Sequence, residues 1–408
     1  MSLIRSSLAL TLSNLAVRFG SYVYRILMGR LLSPYEFGLL NLALPLQFFV
    51  VVLASSGIAP SVARFTSREH SGGRLRRRDE VAASALVYYT LSGTVLGLVF
   101  LLLAPAIAQA FREPALVQVL RLSAVALPFG FAIAAVSGIF QGLGRFSLLA
   151  ALLTAQQGFR ILLALVLVVL VSESAEGAIL GSTLGFAAAA VLALLALRST
   201  GVVLRGRSFA AFTEVFLFSV PVSLTSIAAF ALAYLDILLL GLFLPPQEVG
   251  VYSAASPTAR LPLAFATALA AVVLPRVAGG SDASRDVRSA YLLLLPVLGV
   301  ATLLTVLLAE PIVTLLFGYA YAGAATPLRI LAIGSFFFGF FSVNSGVMQG
   351  LGRAALPMKI LALAAVIDLL LNLMLIPWFA TTGAAVASAL SLAFAGIAST
   401  LAVKTLLR

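Results

Sequence analysis

A small set of side chains in this 408-residue chain could do chemistry in surroundings where polar groups are costly. Arg18 and Arg25 stand seven positions apart within one long apolar run, with Asn14 one turn before Arg18, so all three share a helix face. Arg260 lies in another such run, shortly after Pro257. A charge near a bilayer centre costs at least ~2.5–3.5 kcal/mol, so it normally faces a water-filled cavity or a partner. Guanidiniums offer paired donors that fit phosphate oxygens and do not titrate away, so three of them in one cavity would suit a diphosphate. The alternatives are that Arg25 snorkels outward and that Arg260 pairs with a carboxylate.

Asp236 and Asp368 are the acids deep in apolar runs, and Arg160 is the remaining internal base. Asp368 and Asn372, one turn apart, both offer oxygen ligands to a coupling cation. Arg160 and Asp368 also stand 208 positions apart, at equivalent places of an internal repeat, and could form an ion pair between two lobes. A structural pairing within a lobe competes with both readings. Asp236 could serve as a proton or cation site, or as the partner of Arg18 or Arg25.

The repeat that relates these residues is written in the chain. QGLGR occurs at 141–145 and again at 349–353, and the frame Pro-x-Glu-x-Gly occurs at Pro34–Gly38 and Pro246–Gly250. The offsets are 208 and 212, and extending each frame sets Arg121 against Arg329 and Arg64 against Arg276. Such agreement implies a tandem duplication, the usual ground plan of a transporter. In each QGLGR the glycines follow an apolar run, as a helix ending in a tight turn requires. Glu36 and Glu248 fall where a carboxylate complements the start of the next helix.

Composition places the chain in a membrane: it is 62% hydrophobic and 10% charged, with a mean hydropathy of +1.13. Apolar runs are expected to span at 8–30, 36–60, 80–104, 117–141, 148–171, 176–198, 214–243, 248–274, 288–309, 324–349, 355–377 and 382–404. The expected architecture is therefore an all-α polytopic membrane protein of about twelve transmembrane helices. They form two six-helix parallel repeats, an N-terminal lobe 1–200 and a C-terminal lobe 214–408, joined by a cytoplasmic linker 201–213. The first run carries Arg18 and Arg25 and lacks a small-residue cleavage site, so it reads as a span and not as a signal peptide.

Most of the 26 basic residues fall on the side of the N-terminus, including Arg5, the run Arg74, Arg76, Arg77 and Arg78, and Arg205, Arg353, Lys404 and Arg408. Arg30, Arg112, Arg121 and Arg329 fall on or near the other side. This bias puts both termini in the cytoplasm of a multi-pass cytoplasmic-membrane protein. It also explains the net charge of +12 through anionic lipid, with no nucleic acid partner. Zero cysteines and a single histidine, His70, leave no thiolate or histidine metal site, and no cofactor is expected. No phosphate-binding loop, HExxH motif or nucleophile elbow occurs, and the outer loops are too short for a membrane glycosyltransferase, so no enzyme activity is expected.

PYEFGLLNLALPLQ followed by SVARF, the QGLGR turns, and DILLLGLFLPPQEVGVYSAA with LPRVA after it resemble one family over nearly the whole chain. It is the polysaccharide biosynthesis (oligosaccharide flippase) family of the multidrug/oligosaccharidyl-lipid/polysaccharide exporter superfamily. The lipid II flippases and sporulation-stage-V-B-like proteins belong to the same group. The resemblance implies a MATE-like fold, two six-helix lobes around a central cavity that opens alternately to either side. It also implies that Arg18, Arg25 and Arg260 match the cavity arginines contributed by the first and eighth helices. The implied partner is a polyprenyl-diphosphate-linked glycan, with membrane lipids around it and a proton, sodium ion or the membrane potential as drive. One chain holds both lobes, so a monomer suffices. An alternative of the same fold is a multidrug or organic-ion antiporter, whose cationic substrates an arginine-lined cavity would repel. A non-transporting membrane scaffold is the remaining reading.

Overall fold

The computed structural model describes residues 2–55, 57–204, 206–279 and 282–407, without the side chains of 2–11, 52–55, 220–229 and 283. Arg205, Arg408 and the side chain of Arg5 thus lie outside the described residues. Among the described residues the regular structure is all helical. In chain order it runs α1 (Ser2–Leu31), α2 (Pro34–Ser55), α3 (Ile58–Ser71), α4 (Leu75–Ala110), α5 (Leu116–Ala124), α6 (Leu127–Gly142), α7 (Phe146–Leu170) and α8 (Ala175–Arg198). It continues with α9 (Phe209–Phe243), α10 (Pro246–Ala259), α11 (Leu263–Ala278), α12 (Ala283–Leu307), α13 (Ala309–Phe317), a 3₁₀ turn (Tyr319–Ala324), α14 (Ala325–Gly350) and α15 (Ala355–Leu406).

The expected runs are helical, several as broken helices, and nine helices among the described residues are long and apolar enough to cross a membrane. The run at 117–141 is split into α5 and α6 just before Pro128, and that at 248–274 into α10 and α11 at Pro262, where proline supplies no donor for a continuous helix. The stretch 61–79, left between two expected spans, is helical as far as Ser71 and again from Leu75. Its polar residues hid it: α3 buries Ile58, Val62, Phe65 and Glu69 on one face and shows charge on the other. The spans expected at 355–377 and 382–404 are the two arms of α15, which turns back at Ala380 (φ 49°, ψ −131°). A continuous helix would hold Leu375 and Gly383 about 12 Å apart, whereas a side-chain carbon on Gly383 would run into the Leu375 carbonyl.

The chain divides into two compact units: Met1–Leu32 with Leu42–Ile227, and Ser33–Asn41 with Ala228–Arg408. In the first, α3, α4, α6, α7 and α8 share a core that includes Val62, Tyr89, Phe131, Phe140, Leu152 and Ala193. The α7–α8 hairpin is capped by Ser174, whose hydroxyl accepts from the Gly177 amide at 3.2 Å. In the second, α11, α12, α14 and the end of α15 pack around Val273, Leu294, Leu298, Val347 and Val403. A smaller cluster there joins Phe341 of α14 to Ala364 and Leu392, one on each arm of α15.

Both QGLGR segments close their helices with the same hydrogen bonds. Arg145 N–H donates to Phe140 C=O and Arg353 N–H to Met348 C=O, each at 2.8 Å, while Gly144 and Gly352 donate to Gln141 and Gln349 at 3.1 and 3.0 Å. This is a Schellman turn, whose fifth residue must be left-handed, and Gly144 and Gly352 have φ of 70° and 74°.

Candidate substrate and coupling sites

Within the first unit, α1 is held on α7 and α8 by Ser13, whose hydroxyl donates to Ala150 C=O at 2.9 Å, and by Tyr24, whose hydroxyl lies 3.0 Å from that of Ser182. Asn14, Arg18 and Arg25 project from α1 about a third of a turn away from that packed face. Asn14 and Arg18 are exposed on this unit and Arg25 is half-buried. Arg18 has no acidic partner among the described residues. The three residues placed on one face by spacing therefore do present one polar stripe.

Arg160, on α7, is buried, and its guanidinium carbon lies 4.2 Å from the ring centre of Tyr24 and 6.0 Å from that of Phe48. Stacking on an aromatic face offsets part of the cost of burying the charge. Its Nε has no hydrogen-bond partner. The sequence could show Arg160 as an internal charge, but not that its neighbour within this unit would be Tyr24.

In the second unit three helices, α9, α10 and α15, converge on two carboxylates. Asp236 of α9 is 1% exposed; Tyr252 of α10 donates its hydroxyl to Oδ2 at 2.7 Å, Ser388 of α15 reaches the same oxygen at 3.5 Å, and the Ile237 amide donates to Oδ1 at 2.8 Å. The guanidinium of Arg260, at the α10–α11 break, stands 3.8 Å from Asp236 and donates to the carbonyls of Ala233 at 2.9 Å and Leu232 at 3.4 Å. About a quarter of the Arg260 side chain (26%) stays exposed. The helix break that proline imposes thus places a cation beside a buried carboxylate.

Asp368, on the first arm of α15, is buried in the same region, with the hydroxyls of Ser388 and Ser391 and the charges of Asp236 and Arg260 acting on it. Asn372 donates its amide N–H to Asp368 C=O at 2.8 Å, which turns its own carbonyl oxygen away. Asp368 Oδ1 and Asn372 Oδ1 are both buried and lack a hydrogen-bond donor. Two orphaned oxygens one turn apart, with serine hydroxyls nearby, fit a proton or a hard monovalent cation. No cluster of three or more His, Cys, Asp or Glu occurs among the described residues, so the donor set does not match a typical transition-metal site. Tyr252, Ser388 and Ser391 were missed in the sequence. Each is an ordinary polar residue at helical spacing, and only the packing of α10 and α15 around Asp236 singles it out.

Comparison with known proteins bears on the fold and the family. The polysaccharide biosynthesis protein family model matches residues 3–281, and the MatE model matches 221–374. The uncharacterized membrane protein MJ1375 of Methanocaldococcus jannaschii is 23% identical over 95% of this chain and 94% of its own length. The probable low-salt glycan biosynthesis flippase Agl15 of Haloferax volcanii is 27% identical over 41% of this chain, and MJ1068 of M. jannaschii, also an uncharacterized membrane protein, 32% over 38%. Those two alignments span only about a third of the relatives' lengths, 37% and 32%. Among solved structures, an inward-facing multidrug resistance MATE family transporter superposes with a TM-score of 0.79 at 18% identity, covering 98% of this chain and 94% of the other. The lipid II flippase MurJ, in an inward closed conformation, gives 0.79 at 16% identity, with 98% and 87% covered. The fold is that of the MATE transporters, and the chain belongs to the polysaccharide biosynthesis protein family.

Proposed function

We propose that this protein is a flippase that moves a polyprenyl-diphosphate-linked oligosaccharide across the cytoplasmic membrane by alternating access. The observation that carries the reading is the polar stripe of Asn14, Arg18 and Arg25 on α1, where Arg18 is exposed and has no acidic partner among the described residues. Structural arginines are normally neutralised; an open one in a membrane helix is a site for an anion. In the second unit, Arg260 keeps about a quarter of its side chain exposed. Membership of a polysaccharide biosynthesis family supports taking the anion as the diphosphate of a lipid-linked glycan, whose lipid tail can stay in the bilayer while the sugar crosses.

In this reading the lobes are the two repeats, 1–200 and 214–408, joined by 201–213, with both termini in the cytoplasm and a single chain as the working unit. Asp236, Asp368 and Asn372 take the coupling proton or cation, and Arg160 serves as an ion-pair partner during the cycle or as a fixed charge within its own lobe. The direct test is reconstitution into liposomes with a fluorescent lipid-linked oligosaccharide, scored by protection from an external quencher. Flipping at the rate of empty liposomes would overturn the proposal. The MatE match at 221–374 favours a second reading, a multidrug or organic-ion antiporter. Uptake of a labelled cationic drug by the same liposomes, with no movement of the glycolipid, would establish that reading instead.

A further inference from the structure

In the second unit a cavity of about 580 Å³ opens between the first turns of α12 and the last turns of α15. Its wall is apolar along Leu292, Leu295, Phe340 and Val403, while Arg288 and Lys404 contribute to the same lining. On α12, Arg288, Leu292 and Leu295 fall on one stripe that turns from charged near the helix start to apolar further in. Leu292 and Leu295 are exposed on the protein surface, at 68% and 55%, so this groove faces the surroundings of the helix bundle and not its core. Neither Arg288 nor Lys404 has an acidic partner among the described residues, whereas the nearby Arg276 has Asp286 at 3.7 Å.

We propose that this groove binds an anionic phospholipid of the membrane, with its phosphate between Arg288 and Lys404 and an acyl chain along Leu292, Leu295 and Phe340. The charge pattern selects the occupant. An apolar wall alone would take any hydrocarbon, but two unneutralised cations within about a turn and a half of their helix ends match a head-group phosphate. The cavity is also of the size that encloses part of a small ligand, about 300–1,000 Å³. A second copy of this chain would bring no matching carboxylate from this face, because the groove lining carries cations and no acid. The site is separate from Asp236, Asp368 and the α1 arginines, and its occupancy should stabilise the packing of α12 on α15 without entering the transport step.

The test compares the purified full-length chain in detergent with added dioleoyl phosphatidylglycerol, dioleoyl phosphatidylcholine or inorganic phosphate, read by thermal unfolding and by native mass spectrometry. Phosphatidylglycerol should raise Tm more than phosphatidylcholine and remain bound in the spectrometer, and inorganic phosphate should reproduce neither effect. The double variant Arg288→Gln/Lys404→Gln should bind phosphatidylglycerol at least tenfold more weakly and melt alike with both lipids. Leu292→Trp keeps both cations, fills the groove from an exposed position, and should also lose the phosphatidylglycerol effect; it gives an independent reading if the double variant fails to fold. Equal shifts from the two lipids would overturn the proposal, as would a preference that survives either variant. A shift produced by phosphate alone, or a lipid-independent dimer abolished by the double variant, would also overturn it.

Discussion

Gly38 and Gly250 lie backbone to backbone, each against the first turn of the other's helix. A side-chain carbon on Gly38 would run into the Pro246 carbonyl and come 3.1 Å from the Gly250 nitrogen. One on Gly250 would run into the Pro34 carbonyl and come 3.0 Å from the Gly38 nitrogen. Both residues belong to the second unit. The reciprocity is what a local two-fold relation produces, and the two segments are the two copies of Pro-x-Glu-x-Gly. The glycine of that frame is therefore fixed by helix crossing, and the proline by its place at the start of α2 and α10.

Gly38→Ala and Gly250→Ala should each destabilise the protein by about 1–3 kcal/mol, the ordinary cost of forcing a methyl into filled space. Because both act on one crossing, the double variant should lose less than the sum. Thermal unfolding in detergent measures this. Either single variant melting like the wild type would show that the crossing is looser than the structure has it.

The Asp236 site makes a separate prediction. Tyr252 is fully buried and its hydroxyl is spent on Asp236, so Asp236→Ala strands that donor and should cost about 1–3 kcal/mol. Adding Tyr252→Phe to Asp236→Ala should recover part of the loss, since the stranded hydroxyl is then gone while Arg260 still lacks its carboxylate. An additive pair of losses would mean that the hydroxyl finds another partner.

These two cases show how much the sequence could reveal. QGLGR and Pro-x-Glu-x-Gly were legible because backbone geometry demands particular residues at particular places, and a duplication prints that demand twice. The internal charges were legible because apolar runs make Arg18, Arg160, Asp236, Arg260 and Asp368 stand out. Tyr252 and Ser388 were not, because their role comes from which helix lies beside Asp236, and spacing along one helix carries no such information. Residues 61–71 were read as connection for a related reason: half of α3 faces solvent, so its mean hydropathy falls although its inner face is core.

If Asp368 and Asn372 hold a coupling cation, the orphaned oxygens should acquire a ligand when one is supplied. Sodium or lithium chloride, compared with choline chloride at equal ionic strength, should raise Tm of the wild type. Asp368→Asn and Asn372→Ala should abolish the rise. No difference between the salts would leave a proton as the only candidate, to be read as pH-dependent transport that Asp368→Asn removes.

Glu69, at the end of α3 and outside the spans, sets a pH dependence of its own. Burial pushes its carboxyl up, but the hydrogen bond from Arg68 and the charge of Arg74 outweigh this and hold it below the ordinary carboxylate value. The two arginines stand 2.8 and 2.6 Å from its oxygens. A carboxyl depressed in the folded state adds stability that is present above the unfolded value and lost as pH falls through the folded one. Tm should therefore drop on acidification below about pH 4. Glu69→Gln should melt lower at neutral pH and show a shallower acid limb. An unchanged limb in that variant would place the acid sensitivity elsewhere.

Arg18 carries the sharpest prediction, because the proposed role and a structural role differ in sign. The side chain is exposed on its unit and has no acidic partner among the described residues, while Asp236, the partner first considered for it, is occupied by Tyr252 and Arg260 within the second unit. Arg18→Ala should therefore leave Tm within about 0.5 kcal/mol equivalent of the wild type, as for other exposed substitutions. It should nevertheless abolish or strongly reduce flipping of a lipid-linked oligosaccharide in liposomes. Arg18→Lys should restore only part of the activity, since an ammonium keeps the charge but not the paired donors that fit a diphosphate. A structural ion pair predicts the reverse: Arg18→Ala would melt low by stranding its carboxylate, and removing Asp236 as well would restore stability. Measuring transport and melting for Arg18→Ala, Asp236→Ala and the double variant separates the two, and a well-folded Arg18→Ala protein that flips normally would remove Arg18 from the substrate path.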